Sequence, residues 1–416
     1  MKPYPRYKPT GLAWLPSVPE HWEATKIRTI FTERTTKVSD KDYPPLSVSK
    51  GGVVPQIETV AKSDDSDNRK LVRIGDFVIN SRSDRKGSSG VSELDGSVSL
   101  VNLVLKPRKK GNGRFLHYLL KSDPFVEEFY RNGHGIVADL WTTRYSEMKS
   151  IYIPLPPPSE QDRIVRYLDE KTAAIDELVR AKEREIDLLR ERKQALVSAA
   201  VTGGLDPATE RKDSGDPFTG YVPKSWQAIP LNSCSRVVSK LGIPGSELLS
   251  VFLNRGVVKF SDMEEKRANA TSLDLTNYQQ VEPGDLVLNN QQAWRGSVGV
   301  SKLSGIVSPA YVVAKLDETW DLDFANYFFR APHMVAHYVV ASKGVGSIQR
   351  IIDWNEMKHV KVFRPDKAEQ KQIADQLGLA CKRFDSLETA CRKQISLLQE
   401  LRTRLVSDAV TGAVEV

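Results

Sequence analysis

Two short stretches of this chain carry polar side chains of the types that form specific hydrogen bonds with DNA bases. The first contains Arg82, Arg85 and Lys86, and the second contains Gln291 and Gln292. An arginine can donate two hydrogen bonds to guanine, and a glutamine or asparagine can form two with adenine. The candidate DNA-contacting residues of the two stretches are Ser81, Arg82, Arg85, Lys86, Ser88, Asn289, Asn290, Gln291, Gln292 and Arg295.

The two stretches lie at equivalent positions of an internal repeat. Adding 209 to the residue number aligns residues 75–80 (GDFVIN) with 284–289 (GDLVLN), and residues 86–88 (KGS) with 295–297 (RGS). The longer aligned segment is typical of a glycine turn followed by a strand. The framework repeats while the loops diverge, which indicates two related surfaces that recognise different targets. Ordinary solvated loops are the alternative interpretation.

A second pair of matched turns contains Lys50 and Arg255. Each follows a short predicted strand, residues 46–48 or 249–251, and each stands beside glycine. Basic side chains and the backbone N–H groups of glycine turns suit phosphate binding. These two residues are therefore predicted phosphate contacts.

Each half of the repeat ends in a long predicted helix. The first begins at Ser159, a predicted N-cap after a run of prolines, and ends near Gly203. At 1.5 Å per residue it is about 60 Å long, too long to be one wall of a compact core. The second helix is the natural partner, so we predict a coiled coil with surface left for a further protein. The predicted core residues are Ile164, Leu168, Ile175, Leu178, Leu189, Leu196, Ile373, Leu377, Phe384, Leu387, Leu398 and Leu405.

The repeat predicts a mixed α/β fold of the α+β type, with two related globular domains that are each followed by a long helix. The predicted segments are a first globular domain at 1–158, a first helix at 159–205, a polar linker at 206–217, a second globular domain at 218–365, a second helix at 366–412 and a tail at 413–416.

The composition is that of a globular protein with a basic first half. The formal net charge of the 416 residues is +7, and the whole excess lies in residues 1–158, which favours a polyanionic partner. Cys234, Cys381 and Cys391 are too few and too scattered for a disulfide framework or a zinc site. Neither a signal-peptide pattern nor a membrane-length apolar run is found, so we expect a cytoplasmic location without membrane attachment.

The sequence lacks the motifs of the common catalytic sites, so it predicts a recognition protein with no catalytic residues. There is no glycine-rich phosphate loop and no dinucleotide-binding motif. His333 and His337 are spaced to share a metal ion on one face of a helix. No third ligand is evident, so a structural role is favoured and no metal is predicted.

The start of the first long helix carries a family resemblance. Residues 153–161 (IPLPPPSEQ), followed by a helix that ends in Thr202-Gly203, resemble the specificity (S) subunit of type I restriction-modification systems. The second half keeps Pro365 and Glu369-Gln370 without the proline run. The resemblance covers essentially the whole chain. It implies two target-recognition domains and two conserved-region helices packed antiparallel as a spacer.

This resemblance also implies a function. The S subunit is a non-catalytic DNA-binding protein that reads a bipartite, asymmetric site, one half-site per recognition domain, in a restriction system that defends against foreign DNA. Its implied partners are double-stranded DNA, two modification subunits that methylate adenine, and restriction subunits. The chain itself is expected to hold no cofactor, since S-adenosylmethionine, ATP and Mg²⁺ belong to those partner subunits.

Two other interpretations are open at this point. One is a coiled-coil scaffold whose two related domains bind proteins, with the positive charge incidental. The other is a DNA methyltransferase with its own recognition domains, which the missing cofactor and catalytic motifs disfavour.

Overall fold

A computed structural model of the chain describes residues 2–57, 67–108, 112–136, 141–243, 245–253, 255–262, 275–344 and 350–416. The chain forms two compact units. The first consists of Met1–Glu183 and Arg392–Val416, and the second consists of Arg184–Cys391. Each unit therefore contains one globular part and a segment of both long helices.

The first unit is built on a four-stranded antiparallel sheet in the order β10-β9-β12-β4, with a three-stranded sheet in the order β11-β8-β5. Its described strands are β1 (Tyr7–Pro9), β2 (Ser17–Pro19), β3 (Glu23–Lys26), β4 (Phe31–Glu33), β5 (Lys37–Val38), β6 (Leu46–Ser49), β7 (Gly52–Pro55), β8 (Arg69–Val72), β9 (Phe77–Asn80), β10 (Ser89–Val91), β11 (Gly96–Val98), β12 (Asn102–Pro107) and β13 (Tyr152–Leu155). Its short helices are α1 (Ile27–Ile30), α2 (Gly113–Lys121), α3 (Asp123–Arg131) and α4 (Tyr145–Met148), and the long helix α5 spans Pro158–Gly203.

The second unit repeats this design, with a four-stranded sheet in the order β22-β21-β24-β17. Its described strands are β14 (Arg211–Asp213), β15 (Tyr221–Pro223), β16 (Gln227–Pro230), β17 (Ser235–Val237), β18 (Leu249–Phe252), β19 (Gly256–Lys259), β20 (Gln279–Val281), β21 (Asp285–Asn289), β22 (Val298–Val300), β23 (Gly305–Val307), β24 (Tyr311–Leu316), β25 (Ser342–Lys343), β26 (Ile351–Ile352) and β27 (Lys361–Arg364). Its helices are α6 (Leu322–Arg330), α7 (Pro332–Val340), α8 (Trp354–Met357) and the long α9 (Lys367–Thr411).

The predicted mixed α/β architecture and its internal repeat are confirmed. Helices α2, α3 and α4 recur 209 residues later as α6, α7 and α8, and the strands that precede the two candidate loops, β9 and β21, occupy the same place in the two four-stranded sheets. All pairings between the named strands are antiparallel, including pairs that are far apart in the chain, such as β3 with β13 and β16 with β27.

The long helices begin and end close to the predicted positions. Helix α5 starts at Pro158, one residue early, so Ser159 lies inside the helix and is not its N-cap. Proline is accepted in the first helical turn because its missing N–H needs no partner there. Helix α9 is capped as expected for such a start, since the side chain of Asp366 accepts hydrogen bonds from the backbone N–H groups of Ala368 and Glu369.

Segments of both long helices complete the core of each unit. In the first unit, Ile164 and Leu168 of α5 share one apolar cluster with Leu405 and Ala409 of α9. In the second unit, the equivalent cluster joins Ala200 of α5 to α9 residues that include Ile373 and Leu377. In both units residues near the start of one helix pack against residues near the end of the other, so the two helix segments are antiparallel.

Ion pairs between the helix segments follow the same repeat. In the first unit Arg402 Nε lies 3.0 Å from Asp176 Oδ1, and in the second unit Lys193 Nζ lies 2.6 Å from Asp385 Oδ1. These four residues are related by the 209-residue offset. Exposed pairs of this kind stabilise a helix pair only slightly, but they fix its register.

The buried seam of the helix pair is narrower than the periodicity predicted. Of the predicted core residues, Leu178, Leu196 and Leu387 are exposed, with Leu178 at 52%. Leu189, Phe384 and Leu398 are half-buried, while Ile164, Leu168, Ile175, Ile373, Leu377 and Leu405 are buried. Near the ends of a helix the globular part covers additional faces, whereas in the middle only one stripe can be covered by a single partner helix.

Part of the predicted linker is ordered. Residues 206–217 include β14, which pairs with β15 in the same way that β1 pairs with β2. Lys212 Nζ also donates to the backbone oxygens of Lys224 and Trp226. This stretch is therefore the counterpart of the N-terminal strand and belongs to the second unit. Within the described part of the chain, no helix has the length and apolar character that a bilayer crossing requires.

The two units differ in the charge partner of a buried aspartate at the start of the strand that leads to each candidate loop. Asp76, which is buried before β9, accepts two hydrogen bonds from the guanidinium of Arg34 at 2.7 and 3.0 Å. Its counterpart Asp285 accepts one from the backbone N–H of Glu282. Val238 stands at the place of Arg34, because its backbone N–H donates to Val313 O as that of Arg34 donates to Val104 O. Burial therefore raises the pKa of the Asp285 carboxyl.

We expect Asp285→Asn to increase the stability of the chain at neutral pH. The folded-state pKa of Asp285 lies above its unfolded value, so the ionised carboxylate opposes folding above that pKa, and an amide removes the penalty. The gain should shrink as the pH falls through the folded pKa, because Asp285 is then protonated. Urea denaturation at neutral and mildly acidic pH measures both effects.

The matched variant Asp76→Asn should behave in the opposite way at neutral pH. It leaves the partly buried Arg34 without its carboxylate and should cost about 3 kcal/mol. Equal destabilisation by the two substitutions would show that Asp285 has a stabilising charge partner and would contradict this assignment.

Candidate nucleic-acid interface

The two candidate loops are anchored alike, but their 3₁₀ turns lie one residue apart under the 209-residue offset. Residues 81–88, the first reading loop, contain a 3₁₀ turn at Ser83–Arg85, and residues 290–297, the second reading loop, contain one at Ala293–Arg295. Each turn is followed by a glycine in the left-handed region, Gly87 with φ of 77° and Gly296 with φ of 96°. A residue with a Cβ is strained in that conformation, which explains why glycine occurs at both positions.

Asparagines at the strand ends hold the loops in place. Asn80 Oδ1 accepts a hydrogen bond from the backbone N–H of Arg82, and Asn289 Oδ1 accepts one from that of Gln291. Asn290 Oδ1 accepts from the backbone N–H of Ile352. Asn289 and Asn290, both predicted to contact DNA, thus have intramolecular roles. Because the asparagine of β9 is repeated in β21, the alignment itself could have indicated a structural role for Asn289.

A second segment, about 60 residues later in the chain, supports each loop. The backbone N–H of Thr143 donates to Ser81 O at 3.0 Å, and that of Ile352 donates to Asn290 O at 3.3 Å. In the first unit Ser83 N also donates to Trp141 O. Each reading surface is therefore built from two chain segments, and the neighbouring residues 137–140 and 345–349 lie outside the described part.

In the first reading loop, Arg82 and Arg85 are exposed, and Arg85 Nε lies 3.6 Å from Asp84 Oδ2. Lys86 is half-buried, and its Nζ lies 2.5 Å from Glu127 Oε1. Ser81 and Ser88 are buried at 4% and 6% exposure, so neither can reach DNA without a rearrangement of the loop. Their small side chains fit the closely packed strand ends instead.

In the second reading loop, Gln291 and Arg295 are exposed and Gln292 is half-buried. The indole of Trp294 lies between them in the chain and donates from Nε1 to Gln291 O at 3.0 Å. Trp294 is not among the residues that the sequence predicts to contact DNA. Its contacts make it part of the reading surface.

An open groove borders the first reading loop, and its rim is basic. Arg82 lines it together with Lys70, Arg144 and Lys149, and Glu33 is the acidic residue of the lining. At the equivalent positions of the second unit, Gln291 replaces Arg82 and Asp353 replaces Arg144. Arg144 and Lys149 were missed in the sequence because they lie far from the loop in the chain.

The predicted phosphate contacts occupy matched hairpin turns. Lys50 is exposed in the β6–β7 turn, and its backbone oxygen accepts a hydrogen bond from Lys121 Nζ at 2.8 Å. Burial lowers the pKa of Lys121, whose ammonium also donates to Ser89 O. Arg255 is exposed in the β18–β19 turn. Both side chains are exposed, and phosphate binding stays a prediction for them.

The two histidines of α7 pack against other side chains of the second unit. His337 Nε2 lies 3.0 Å from Asp216 Oδ1, and Phe218 packs edge-on against its ring. His333 is buried against Phe328, and burial, together with the nearby His337, lowers its pKa to about 4. No group of His, Cys, Asp and Glu within the described residues is arranged to hold a metal ion.

The chain has relatives in sequence, although no family model matches it. It is 22% identical over 426 residues to the type I restriction enzyme MjaVIII specificity subunit of Methanocaldococcus jannaschii, covering 96% of this chain and 94% of that protein. It is also 22% identical over 428 residues to the type I restriction enzyme EcoKI specificity subunit of Escherichia coli K12, covering 95% and 89%.

Solved structures share the fold. A chain from a study of complex assembly and conformational transition in a type I restriction-modification system matches with a TM-score of 0.66 and 14% identity, over 95% of this chain and 99% of that one. The HsdS subunit of Thermoanaerobacter tengcongensis matches with a TM-score of 0.50 and 16% identity, over 95% and 98%. The predicted resemblance to specificity subunits is confirmed. Such subunits are the non-catalytic components of type I restriction systems, in agreement with the prediction that this chain is not an enzyme.

Proposed function

We propose that this chain, which resembles type I specificity subunits over nearly its whole length, is the DNA-recognition subunit of a type I restriction-modification complex. Each unit reads one half of a bipartite, asymmetric DNA site. The observation that carries the proposal is the reading loop, which is anchored by the same hydrogen bonds in both units. It presents Arg82 and Arg85 in one unit and Gln291 with Arg295 in the other.

This arrangement fits recognition of two different base sequences. The frame residues that orient the loops, such as Asn80 and Asn289, are the same in both units, whereas the outward side chains differ in hydrogen-bonding type. Exposed arginines suit guanine and an exposed glutamine suits adenine. Two units whose reading loops carried identical exposed side chains would instead favour a symmetric DNA site.

Charge supports DNA as the ligand. The net charge of residues 1–158 is +7, and Arg82, Arg144 and Lys149 share one open groove in the first unit. Basic side chains along a groove neutralise phosphates and release counterions, so binding through this unit should be strongly salt-dependent. Lys50 and Arg255 would add phosphate contacts in the two units.

The long helices supply two further roles in this proposal. Each long helix has segments in both units, and in this proposal the helices set the number of unread base pairs between the half-sites. They also hold the modification subunits, which methylate adenine with S-adenosylmethionine, while restriction subunits bring the ATP- and Mg²⁺-dependent steps.

Exposed leucines on the helices mark the docking positions for the modification subunits. Leu178 of α5 and Leu397 of α9 are exposed in the first unit, and Leu387 of α9 and Leu188 of α5 are exposed in the second. The 209-residue offset relates Leu178 to Leu387 and Leu188 to Leu397. Each unit thus presents the same pair, as two copies of one partner subunit require.

The reading assignment is tested by the methylated motif that the chain directs. Expressed with its modification subunit in cells free of adenine methylation, the wild-type chain should direct N6-methyladenine to a split motif with a fixed gap. Arg82→Ala and Arg85→Ala should relax one half-site, and Gln291→Ala and Gln292→Ala the other, because a lost bidentate contact removes about 1–3 kcal/mol of base discrimination.

The exposed residues Arg28 and Gln227, outside the loops, provide matched alanine controls that should leave the motif unchanged. Methylome sequencing distinguishes the outcomes. Relaxation of the same half-site by both sets of loop variants would refute the assignment, and a missing split motif in the wild type would favour a protein-binding scaffold.

The docking assignment is tested by subunit stoichiometry. Leu178→Glu with Leu397→Glu should remove one of two bound modification subunits, because a charge cannot be buried in an apolar contact without a partner. Substituting Leu188 and Leu387 as well should remove both. Native mass spectrometry of the purified complex measures the count.

The control for this experiment is Leu379→Glu. Leu379 is 63% exposed on α9, but Glu170 stands at its repeat-related position, so it belongs to no duplicated pair. Its substitution should leave two modification subunits bound. Loss of a subunit with Leu379→Glu, or full binding when all four paired leucines are replaced, would contradict the docking assignment.

A further inference from the structure

Trp294 of the second reading loop forms a cluster with two arginines whose guanidinium groups lie over its ring. The guanidinium carbon of Arg295 lies 4.7 Å from the ring centroid of Trp294, and that of Arg350 lies 5.3 Å from it. Arg295 belongs to the same 3₁₀ turn as Trp294, whereas Arg350 comes from the supporting segment before β26. The indole therefore joins the two segments that form the reading surface.

The indole itself is fixed by the loop. Its Nε1–H donates to Gln291 O at 3.0 Å, and the residue is half-buried. The turn ends at Gly296, where an added Cβ would lie 3.4 Å from Val335 of α7, so the loop packs closely on that helix. A ring held at this position offers a defined surface to both guanidinium groups.

Stacking orients an arginine without using its hydrogen-bond donors. The attraction is between the positive charge and the face of the indole, whereas the five N–H donors lie in the plane of the guanidinium group. An arginine held in this way loses less conformational entropy when it forms a bidentate hydrogen bond with a base. Lysine has neither the planar shape nor the fork of donors.

The first unit has the same residue types in exchanged places. Arg85 stands at the position equivalent to Trp294, and Trp141 stands at the position equivalent to Arg350. The indole of Trp141 donates from Nε1 to Tyr130 O at 2.7 Å, which directs it toward the body of the unit. The cluster around Trp294 is thus a feature by which the two reading surfaces differ.

We propose that Trp294 is a positioning residue that presents Arg295 and Arg350 to guanines in the half-site read by the second unit. This inference rests on the proposed function and adds the base that the second unit recognises. It assigns roles to Trp294 and Arg350, which are not among the DNA-contacting residues predicted from the sequence. The second half-site accordingly contains guanines at the positions reached by these two side chains.

The test is the methylated motif of the complete complex with four variants of the cluster. Arg295→Lys and Arg350→Lys keep the charge but lose the fork, so each should lower the preference for guanine at one position of the second half-site by tenfold or more. Trp294→Ala should relax both positions together. Trp294→Phe keeps an aromatic face and should retain more discrimination than Trp294→Ala.

Arg236→Lys is the matched control, because Arg236 is an exposed arginine of the same unit that lies in β17, away from the loop. It should leave the motif unchanged. The first half-site, read in the same experiment, shows that each variant chain is folded and assembled, since it should stay intact in all of them.

Three results would overturn the inference. A uniform fall in methylation with an unchanged motif would identify Arg295 and Arg350 as phosphate contacts, because such contacts carry no sequence information. Relaxation of the first half-site, or equal motifs for Trp294→Ala and wild type, would remove the positioning role. These outcomes leave the proposed function intact, whereas a wild-type chain that directs no split motif would overturn both.

Discussion

The structure depends on a buried glutamine at the start of each long helix. Gln161 Oε1 accepts a hydrogen bond from the backbone N–H of Asn112, and its Nε2 donates to Pro156 O. Gln370 does the same with Asp321 N and Pro365 O. Asn112 and Asp321 are the N-caps of α2 and α6, so one side chain ties the start of a long helix to the helix that packs beside the recognition sheet.

The neighbouring glutamate strengthens each of these junctions. Glu160 is buried and accepts hydrogen bonds from Tyr4 and His21, which hold its pKa low even though burial alone would raise it. Glu369 accepts one from the indole of Trp226. Leaving a buried polar group unsatisfied costs about 1–3 kcal/mol, so the Glu-Gln pair favours a single orientation of each helix start relative to its own globular part.

The same construction makes each unit depend on both halves of the chain. The core of the first unit includes Leu405 and Ala409, which come from the far end of α9, and the core of the second includes Ala200 from the end of α5. A recognition domain cut at residue 158 would expose the surface that these residues cover. The repeat is therefore visible in the sequence as two consecutive halves, but it folds as two units that exchange helix ends.

The order of elements, the repeat, the long helices and the position of the reading loops follow from local patterns in the sequence. The contacts made by individual side chains do not follow from these local patterns. Asn290 was predicted to contact DNA because its type suits adenine, yet it bonds to Ile352, a partner too distant in the chain for local pattern to indicate. Arg144 and Trp294 acquire their places through tertiary packing, and the exposure of Leu178 reflects how little of a helix one partner can cover.

The most direct test of the account is a transfer of the reading surface between units. Residues 81–87 would be replaced by the sequence of residues 290–296, with Trp141→Arg added to supply the counterpart of Arg350, and the methylated motif would be sequenced. If the two globular parts hold their reading loops in equivalent positions and the exposed loop side chains select the bases, the first half-site should change to resemble the second. The second half-site should stay the same. A first half-site that keeps its original sequence would contradict the claim that these loops read the DNA.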